Sequence, residues 1–290
     1  IKLGTINQLN TVITGDQIQP RVAALPNNRF ALVYADRAGN DGSKGGIFGG
    51  VYNENLEEVS SCGIVNSITN DWQATPHVAA APNGNFMAVW TTFSRAEGQL
   101  FSPTCEKLGD QLNLGFAFNG IHVSSDQDGN FWVARSYQGT GYIDKFSNSG
   151  TQLVNGAVYY NDEAPIRNRL LTLEDGRVLV YWYNGNNAAG GDIYGLFLNA
   201  DATRAGAPFL INQRMEGDQR LPVLAALPDG GYVAVWSSFS SEEDRYLVPG
   251  LMRGLQVLQA FTPEHRERSL GDIAAHLGVT KSAAFRAVYT

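Results

Sequence analysis

The fold is decided by three copies of one pattern: PRVAALPNNRFALVYA at residues 20–35, PHVAAAPNGNFMAVWT at 76–91 and PVLAALPDGGYVAVWS at 222–237. Two weaker copies lie between them, IHVSSDQDGNFWVAR at 121–135 and NRLLTLEDGRVLVYW at 168–182. Each copy has an apolar run, a polar turn and an alternating apolar run. Asn-Gly or Asp-Gly between such runs is typical of two-residue hairpin loops. Each copy is therefore predicted to be a β-hairpin.

The spacing of these hairpins predicts the architecture. Equivalent turn positions lie 56, 45, 47 and 54 residues apart, at Pro26, Pro82, Gln127, Glu174 and Pro228. Each interval has room for four strands, and further apolar runs at 45–53, 98–104, 140–147, 191–199 and 206–212 supply third and fourth strands. Four-stranded repeats of this length predict an all-β fold, a β-propeller of about five four-stranded blades with the last one incomplete. A β-sandwich is the alternative, and it explains the periodicity less well.

The chain changes character near residue 245. Residues 1–244 carry 25 acidic and 15 basic residues, whereas residues 245–290 carry 3 acidic and 6 basic ones. The apolar period also changes from 2 to 3.6, which indicates helices. Ser269 and Asp272 resemble a capping box, and Ala274 to Gly278 fits the corner of a helix-turn-helix. We predict a propeller domain at 1–244 and a short all-α helix-turn-helix-like segment at 245–290, although an extended strand at 251–261 is an alternative.

The propeller region resembles the VAALPDGG(Y/F)VAVW-type repeats of large bacterial surface and secreted proteins. The shared motif also includes the GDQ…P stretch at 15–20 and 217–222 and its variant at 71–76. This resemblance covers residues 7–241. It implies a binding or adhesion role at a cell surface or outside the cell, with a glycan or protein as the partner.

The tail at 251–290 resembles the helix-turn-helix of IclR-type transcription regulators, truncated at the recognition helix. This resemblance implies that Thr280, Lys281, Ser282 and Arg286 would face DNA, and that DNA would be bound through residues 245–290 alone. A functional tail would place the protein in the cytoplasm, unlike the propeller. We therefore expect a composite or fusion chain.

Recurring side chains are interpreted as structural. Asp16, Asp71 and Asp218 occupy like positions in three repeats, and an acid needed for catalysis occurs once per site, so turn capping is expected. Aromatic residues outside the repeated positions are the better ligand-stacking candidates, and these are Trp72, Trp132, Tyr137 and Tyr142.

The predicted function is non-catalytic ligand binding, with no catalytic residue and no enzyme activity. The first alternative is a DNA-binding regulator acting through the tail. The second alternative is a propeller glycoside hydrolase, in which Glu163, Asp144 and Asp192 could converge at the channel mouth. His77 and His122 follow the first strand of their repeats and could line that channel, although a structural role is favoured.

No cofactor or metal is expected, apart from a weak resemblance to a calcium loop near Asp36, Asn40 and Asp41. The two cysteines, Cys62 and Cys105, fall at different offsets within their repeats. These offsets argue against a disulfide bond between the two cysteines but do not exclude one. Because no apolar run approaches 18 residues, membrane insertion is not expected.

Overall fold

The structure is a computed structural model that describes residues 8–118, 120–160, 166–185, 191–213, 217–228, 231–239, 269–277 and 281. Within these ranges the chain forms five antiparallel sheets in sequence order, here called sheets 1 to 5. One helix, α1, follows them at Leu270–Leu277. None of the helices in the described ranges has the length and apolar character needed to span a bilayer.

Each of the first four sheets is a four-stranded meander. Sheet 1 contains β1 to β4, at Gln17–Leu25, Arg29–Asp36, Ile47–Asn53 and Glu58–Ile64. Sheet 2 contains β5 to β8, at Ala74–Ala80, Phe86–Thr91, Arg95–Phe101 and Lys107–Phe116.

The remaining sheets continue the same order. Sheet 3 contains β9 to β12, at Ile121–Ser125, Phe131–Tyr137, Thr140–Phe146 and Gln152–Tyr160. Sheet 4 contains β13 to β16, at Ile166–Thr172, Val178–Asn184, Asp192–Leu198 and Phe209–Leu210. Sheet 5 is described as two strands, β17 and β18, at Asp218–Ala226 and Tyr232–Phe239.

All five predicted hairpins form, but three of their turns differ from the prediction. In sheet 2 the Gly84 N–H donates to the Ala81 carbonyl, and the Ala81 N–H donates to the Asn85 carbonyl. The loop therefore has three residues, with Gly84 in the left-handed region at φ 88°. Sheets 3 and 4 repeat this geometry around Gly129 and Gly176. A type I turn followed by a left-handed glycine gives the same chain reversal with one more residue.

The sheets pack face against face in series. Sheets 1 and 2 share a core that includes Val33, Phe86, Trp90 and Phe101. Equivalent cores join sheets 2 and 3, sheets 3 and 4, and sheets 4 and 5. The first strands of sheets 1 to 4 also lie side by side, β1 on β5, β5 on β9 and β9 on β13. This serial arrangement is propeller-like and does not fit a two-layer sandwich.

A residue with positive φ lies at the same place in every sheet, within the first strand of four sheets and directly before it in sheet 3. The φ angles are 55° at Gln19, 50° at Thr75, 117° at Gly120, 55° at Arg167 and 55° at Leu221. In four of the five sheets the strand register shifts at this point, as in a β-bulge. Bulges redirect side chains at the ends of strands. Here Gln19 reaches the next sheet, where its Oε1 accepts the Thr75 N–H at 2.9 Å.

Cys62 and Cys105 form a disulfide, contrary to the balance of the sequence argument. Cys62 lies in β4, and Cys105 lies in the turn between β7 and β8, so the bond joins sheet 1 to sheet 2. Comparing offsets within repeats gave the wrong answer because the bond connects different strands of neighbouring sheets. Their Cα atoms are 4.7 Å apart, within the range that disulfides require.

Loss of this disulfide should destabilise the protein by about 2–4 kcal/mol, because the bond closes a loop of 43 residues in the unfolded chain. The measurement is the free energy of unfolding in urea for the Cys62→Ser and Cys105→Ser double variant. Reduced wild-type protein is the control and should lose a similar amount. Equal stability of the oxidised and reduced forms would contradict the expectation.

Candidate functional site

Two of the four aromatic candidates are covered, fully or in part, by neighbouring side chains. Trp132 is buried in the core between sheets 3 and 4, and its indole Nε1–H donates to Asp126 Oδ2 at 2.8 Å. The Lys145 ammonium lies 4.4 Å from the centre of the same ring. The ring of Tyr142 is covered by the Arg135 guanidinium at 4.6 Å. The prediction for Trp132 was wrong because position outside the repeat does not determine exposure, whereas Tyr142 is partly buried and keeps its status as a prediction.

The other two candidates are accessible. Trp72 is 42% exposed and lies beside Gly45, where a Cβ would come within 3.2 Å of its ring. Tyr137 stacks on Phe116 and Phe118, with ring centres 5.0 and 5.2 Å away. Both of these phenylalanines are about half exposed. The structure does not bring Trp72 into contact with the Tyr137 cluster, so the four candidates do not form one surface.

Two of the recurring aspartates cap backbone. Asp71 Oδ1 accepts the Trp72 N–H at 2.8 Å, and Asp218 Oδ1 accepts the Gly191 N–H at 3.1 Å. Asp218 also accepts the Tyr183 hydroxyl at 2.9 Å. The Asp71 contact agrees with the turn-capping interpretation, whereas the Asp218 contacts join sheet 5 to sheet 4.

The three acids named for a hydrolase do not converge. Asp144 is fully buried, with Oδ2 paired to Arg135 Nε at 2.9 Å and Oδ1 accepting the Gly156 N–H at 2.8 Å. Burial raises the pKa of Asp144 despite that arginine. Asp192 is also buried and accepts the Asn212 amide at 2.8 Å. Glu163 lies outside the described residues. Asp144 and Asp192 therefore serve the interiors of their own sheets.

The oxygen-rich loop after β2 is held by protein donors. Asp36 accepts hydrogen bonds from the Gln17 and Asn40 side-chain amides at 3.0 and 2.9 Å. Burial raises the pKa of Asp36, but these hydrogen bonds outweigh that effect, so the pKa is lowered overall. Asp41 accepts the Ser43 N–H and the Asn66 amide. Among the described residues, no three His, Cys, Asp or Glu side chains cluster closely enough to hold a metal ion.

One acid that was not predicted from the sequence, Glu97, differs in type from the residues at equivalent positions of the other sheets. Glu97 lies in β7 directly opposite Trp90. The equivalent third-strand residues in sheets 1, 3 and 4 are Phe48, Tyr142 and Tyr194. Three of these four positions carry an aromatic side chain, so the carboxyl group of Glu97 is a departure from the repeat. Comparison of the third strands could have found it, since the acid is visible in the stretch RAEGQL.

The hydrogen bonds of Glu97 all fall on one oxygen. Oε2 accepts the Trp90 indole N–H at 3.1 Å and the Gln111 side-chain amide at 2.9 Å. Gln111 is fixed in turn because its Oε1 accepts the Ser67 and Ile68 N–H groups. Oε1 of Glu97 has no partner among the described residues and is not sealed inside the protein. A proton on this carboxyl group would therefore sit on Oε1, where it can be donated.

Electrostatics favour that protonated form. Glu97 is 7% exposed, and burial raises its pKa although the Trp90 hydrogen bond and the Arg95 charge act in the opposite direction. The charge of Asp71 raises it further, so the two carboxyl groups are near enough to interact. An acid of raised pKa close to a second carboxyl group is an arrangement used for acid–base chemistry. Asp71 directly precedes the exposed Trp72.

A cavity of about 430 Å³ lies elsewhere, where the first hairpin turns of sheets 1 to 4 converge. Its walls include both small apolar and polar groups, among them Leu25, Pro26, Pro82, Asp126, Gln127 and Glu174. It is at the opposite end of the first strands from the bulges. None of the sequence-predicted ligand residues lines it.

In the tail, helix α1 begins with the predicted cap. The Ser269 Oγ–H donates to Asp272 Oδ2 at 2.7 Å, and the Asp272 N–H donates to Ser269 Oγ at 3.2 Å. Ile273 and Ala274 are buried. Of the predicted DNA-facing residues, Lys281 is exposed and helical, while Thr280, Ser282 and Arg286 lie outside the described residues.

Comparison with known families supports the tail assignment. The family model described as the IclR helix-turn-helix domain matches residues 250–290. No curated protein matches the chain.

Solved structures share the fold at low sequence identity. A protein of unknown function from Dyadobacter fermentans has a TM-score of 0.55 and 11% identity, over 76% of this chain and 74% of that one. The catalytic domain of a Coprinopsis cinerea GH62 alpha-L-arabinofuranosidase has a TM-score of 0.46 and 12% identity, over 82% and 89%. A Penicillium chrysogenum alpha-L-arabinanase has a TM-score of 0.44 and 16% identity, over 58% of this chain and 53% of that one.

These comparisons correct the predicted function. Similar structures of stated activity are mainly arabinofuranosidases and arabinanases, which are enzymes, and this contradicts the expectation of a non-catalytic binding protein. At these identities the likeness shows the fold alone. An argument for a particular reaction must therefore rest on this chain's own side chains.

The structural role of Asp144 can be tested through its partner. The Arg135→Met variant should lose about 3–5 kcal/mol of unfolding free energy, because it leaves a buried carboxyl group without its cation. The Arg135→Met, Asp144→Leu double variant should recover most of that loss. Urea unfolding of the wild type, the two single variants and the double variant measures both effects, and strict additivity of the two substitutions would show that the pair does not interact.

Proposed function

We propose that the sheet-forming region is a glycoside hydrolase in which Glu97 is the general acid and Asp71 is the second carboxylate. The single observation that carries this proposal is the state of Glu97. It is the one acid among four equivalent third-strand positions, burial raises its pKa, and its Oε1 is left without a partner. Glycosidases use an acid of raised pKa together with an ionised carboxylate.

The chemistry follows from these two groups. The proton on Glu97 Oε1 passes to the glycosidic oxygen as the bond from that oxygen to the anomeric carbon breaks. The Asp71 carboxylate either takes a proton from a water that attacks the anomeric carbon or attacks that carbon itself, depending on its separation from Glu97. In the second case a water then displaces Asp71 from the anomeric carbon and gives its proton back to Glu97. The exposed ring of Trp72 offers a flat apolar surface on which a sugar can stack.

We also propose the finer organisation of the chain. The propeller domain covers residues 1–244, with five blades of which the last is incomplete, and its repeats belong to the type found in bacterial surface and secreted proteins. An extracellular or cell-surface location is supported by the Cys62–Cys105 disulfide, since such bonds persist in oxidising compartments. The substrate is a neutral or acidic glycan.

The Glu97→Gln variant should reduce kcat/KM on aryl glycosides or oligosaccharides by about a hundredfold or more, because it removes the transferable proton. Since the acid must be protonated, wild-type kcat/KM should fall as pH rises through the raised pKa of Glu97, and the variant should lack this decline. Initial rates across pH measure both. The matched control is Glu106→Gln, an exposed acid of the same sheet, which should retain wild-type rates. An active Glu97→Gln enzyme with an unchanged pH profile would exclude this role.

A second function is supported by the tail. We propose that residues 245–290 bind DNA, on the basis of the family match at 250–290 and the capped helix α1. The surplus of basic residues in this segment suits contact with phosphates. A single short unit makes few such contacts, so its affinity should be modest and sensitive to salt.

The Lys281→Glu, Arg286→Glu double variant should weaken DNA binding by about tenfold or more, because two phosphate-binding charges become repulsive. Gel-shift titrations of the full chain at fixed salt measure this. The control is Lys44→Glu with Arg204→Glu, which makes the same charge change on exposed residues of the sheet region. If both double variants bind DNA equally well, the tail is not the DNA-binding element.

A further inference from the structure

The first strands of the five sheets carry one equivalent residue each, next to the bulge in the four strands that have one. Each of these residues lies two positions after the positive-φ residue of its sheet, and they are Arg21, His77, His122, Arg169 and Val223. Because the first strands of sheets 1 to 4 lie side by side, the side chains of successive strands come together. The rings of His77 and His122 are 4.8 Å apart between centres.

The two arginines in this set have no acidic partner. Arg21 Nη1 donates to its neighbour's carbonyl, Pro20 O, at 2.8 Å. No ion pair joins Arg21 or Arg169 to a carboxylate among the described residues, although the ion pairs of Arg135, Lys145, Arg177 and Arg220 are present there. Burial, and then repulsion from Arg169, lowers the pKa of Arg21. Two partly buried positive charges therefore repel one another, and no carboxylate of the described residues pairs with either of them.

The histidines add neutral donors to this position. Burial, together with the charges of Arg21 and Arg169, lowers the pKa of His77 to about 3 and holds that of His122 well below its usual range. Both rings are therefore uncharged at neutral pH. The Leu170 N–H donates to His122 Nδ1 at 3.3 Å, so the ring proton of His122 is on Nε2. That N–H is available to a further acceptor.

We propose that Arg21 and Arg169, with His77 and His122, form a binding site for one oxyanion beside the first strands of sheets 1 to 4. The group bound is a phosphate, a sulfate or a sugar carboxylate. All three carry their negative charge on oxygen atoms, which are arranged tetrahedrally in phosphate and sulfate and in a plane in a carboxylate. Binding here is independent of the hydrolase proposal, because neither Glu97 nor Asp71 takes part in it.

The chemistry of the four side chains selects this class of ligand. A guanidinium group presents paired N–H donors that match two oxygens of a carboxylate or phosphate. An anion between the two arginines would also remove their mutual repulsion. A metal cation would increase that repulsion, and a neutral sugar would leave it unchanged. An oxyanion is the ligand that improves the electrostatics of the site.

Calorimetric titration of the full chain tests the proposal, with ionic strength held constant by sodium chloride. The probes are inorganic phosphate, glucuronate and, as the uncharged comparison, glucose. Wild-type protein should bind phosphate or glucuronate saturably with one site and should not bind glucose there. A preference between the two anions tells whether the bound group comes from free phosphate or from an acidic sugar.

Arg21→Gln and Arg169→Gln should each weaken anion binding at least tenfold, and Arg169→Lys should retain part of it. The control is Arg177→Gln, an exposed arginine that pairs with Asp175 in a hairpin turn and should leave binding unchanged. Circular dichroism and thermal unfolding check that each variant is folded. Absence of saturable binding to the wild type, or equal loss in the Arg177 control, would overturn the proposal.

Discussion

Burial of apolar faces between neighbouring sheets is the constraint on which the rest of the structure depends. A single sheet here cannot bury both faces by itself, so Phe86 and Trp90 of sheet 2 become buried only because sheet 1 lies against them. Burial of a large side chain contributes roughly 1.5–3 kcal/mol, and each interface contains several. The two faces of sheet 5 differ in burial and illustrate this dependence. One face packs on sheet 4, whereas Val223 and Val235 on the opposite face are 54% and 60% exposed.

The sequence predicts this architecture because packing between sheets imposes a repeating requirement. Alternating apolar residues and turn glycines recur wherever a hairpin must present two apolar faces, so the hairpins and the four-stranded order could be read directly. The bulge could not be predicted from the sequence, because its left-handed residues belong to no common type that favours this backbone conformation. They are Gln19, Thr75, Arg167 and Leu221. That conformation is imposed by the sheet around it. The disulfide was missed for a related reason, since it depends on a contact between sheets.

The same distinction explains the outcome for the candidate site. Trp132 was predicted to bind a ligand because it falls outside the repeated tryptophan position. Its side chain instead packs in the core between sheets 3 and 4. Glu97 was overlooked because the third strand of this repeat was expected at residues 98–104, whereas β7 begins at Arg95. Its function is suggested only when cross-strand partners are known. An acid opposite Trp90, where the other sheets carry aromatic residues, is then visible as an exception.

Glu97 and Asp144 show how one fold can hold a buried acid for two different purposes. Burial raises the pKa of both groups. Asp144 has both oxygens bonded, one to the cationic Arg135 and one to a backbone N–H, so its carboxyl group has no remaining capacity toward a ligand. Glu97 receives only neutral donors, both on the same oxygen, and the other oxygen stays available. Access to an unbonded oxygen, rather than the direction of the pKa shift, is therefore the difference between the two acids on which the proposed role of Glu97 rests.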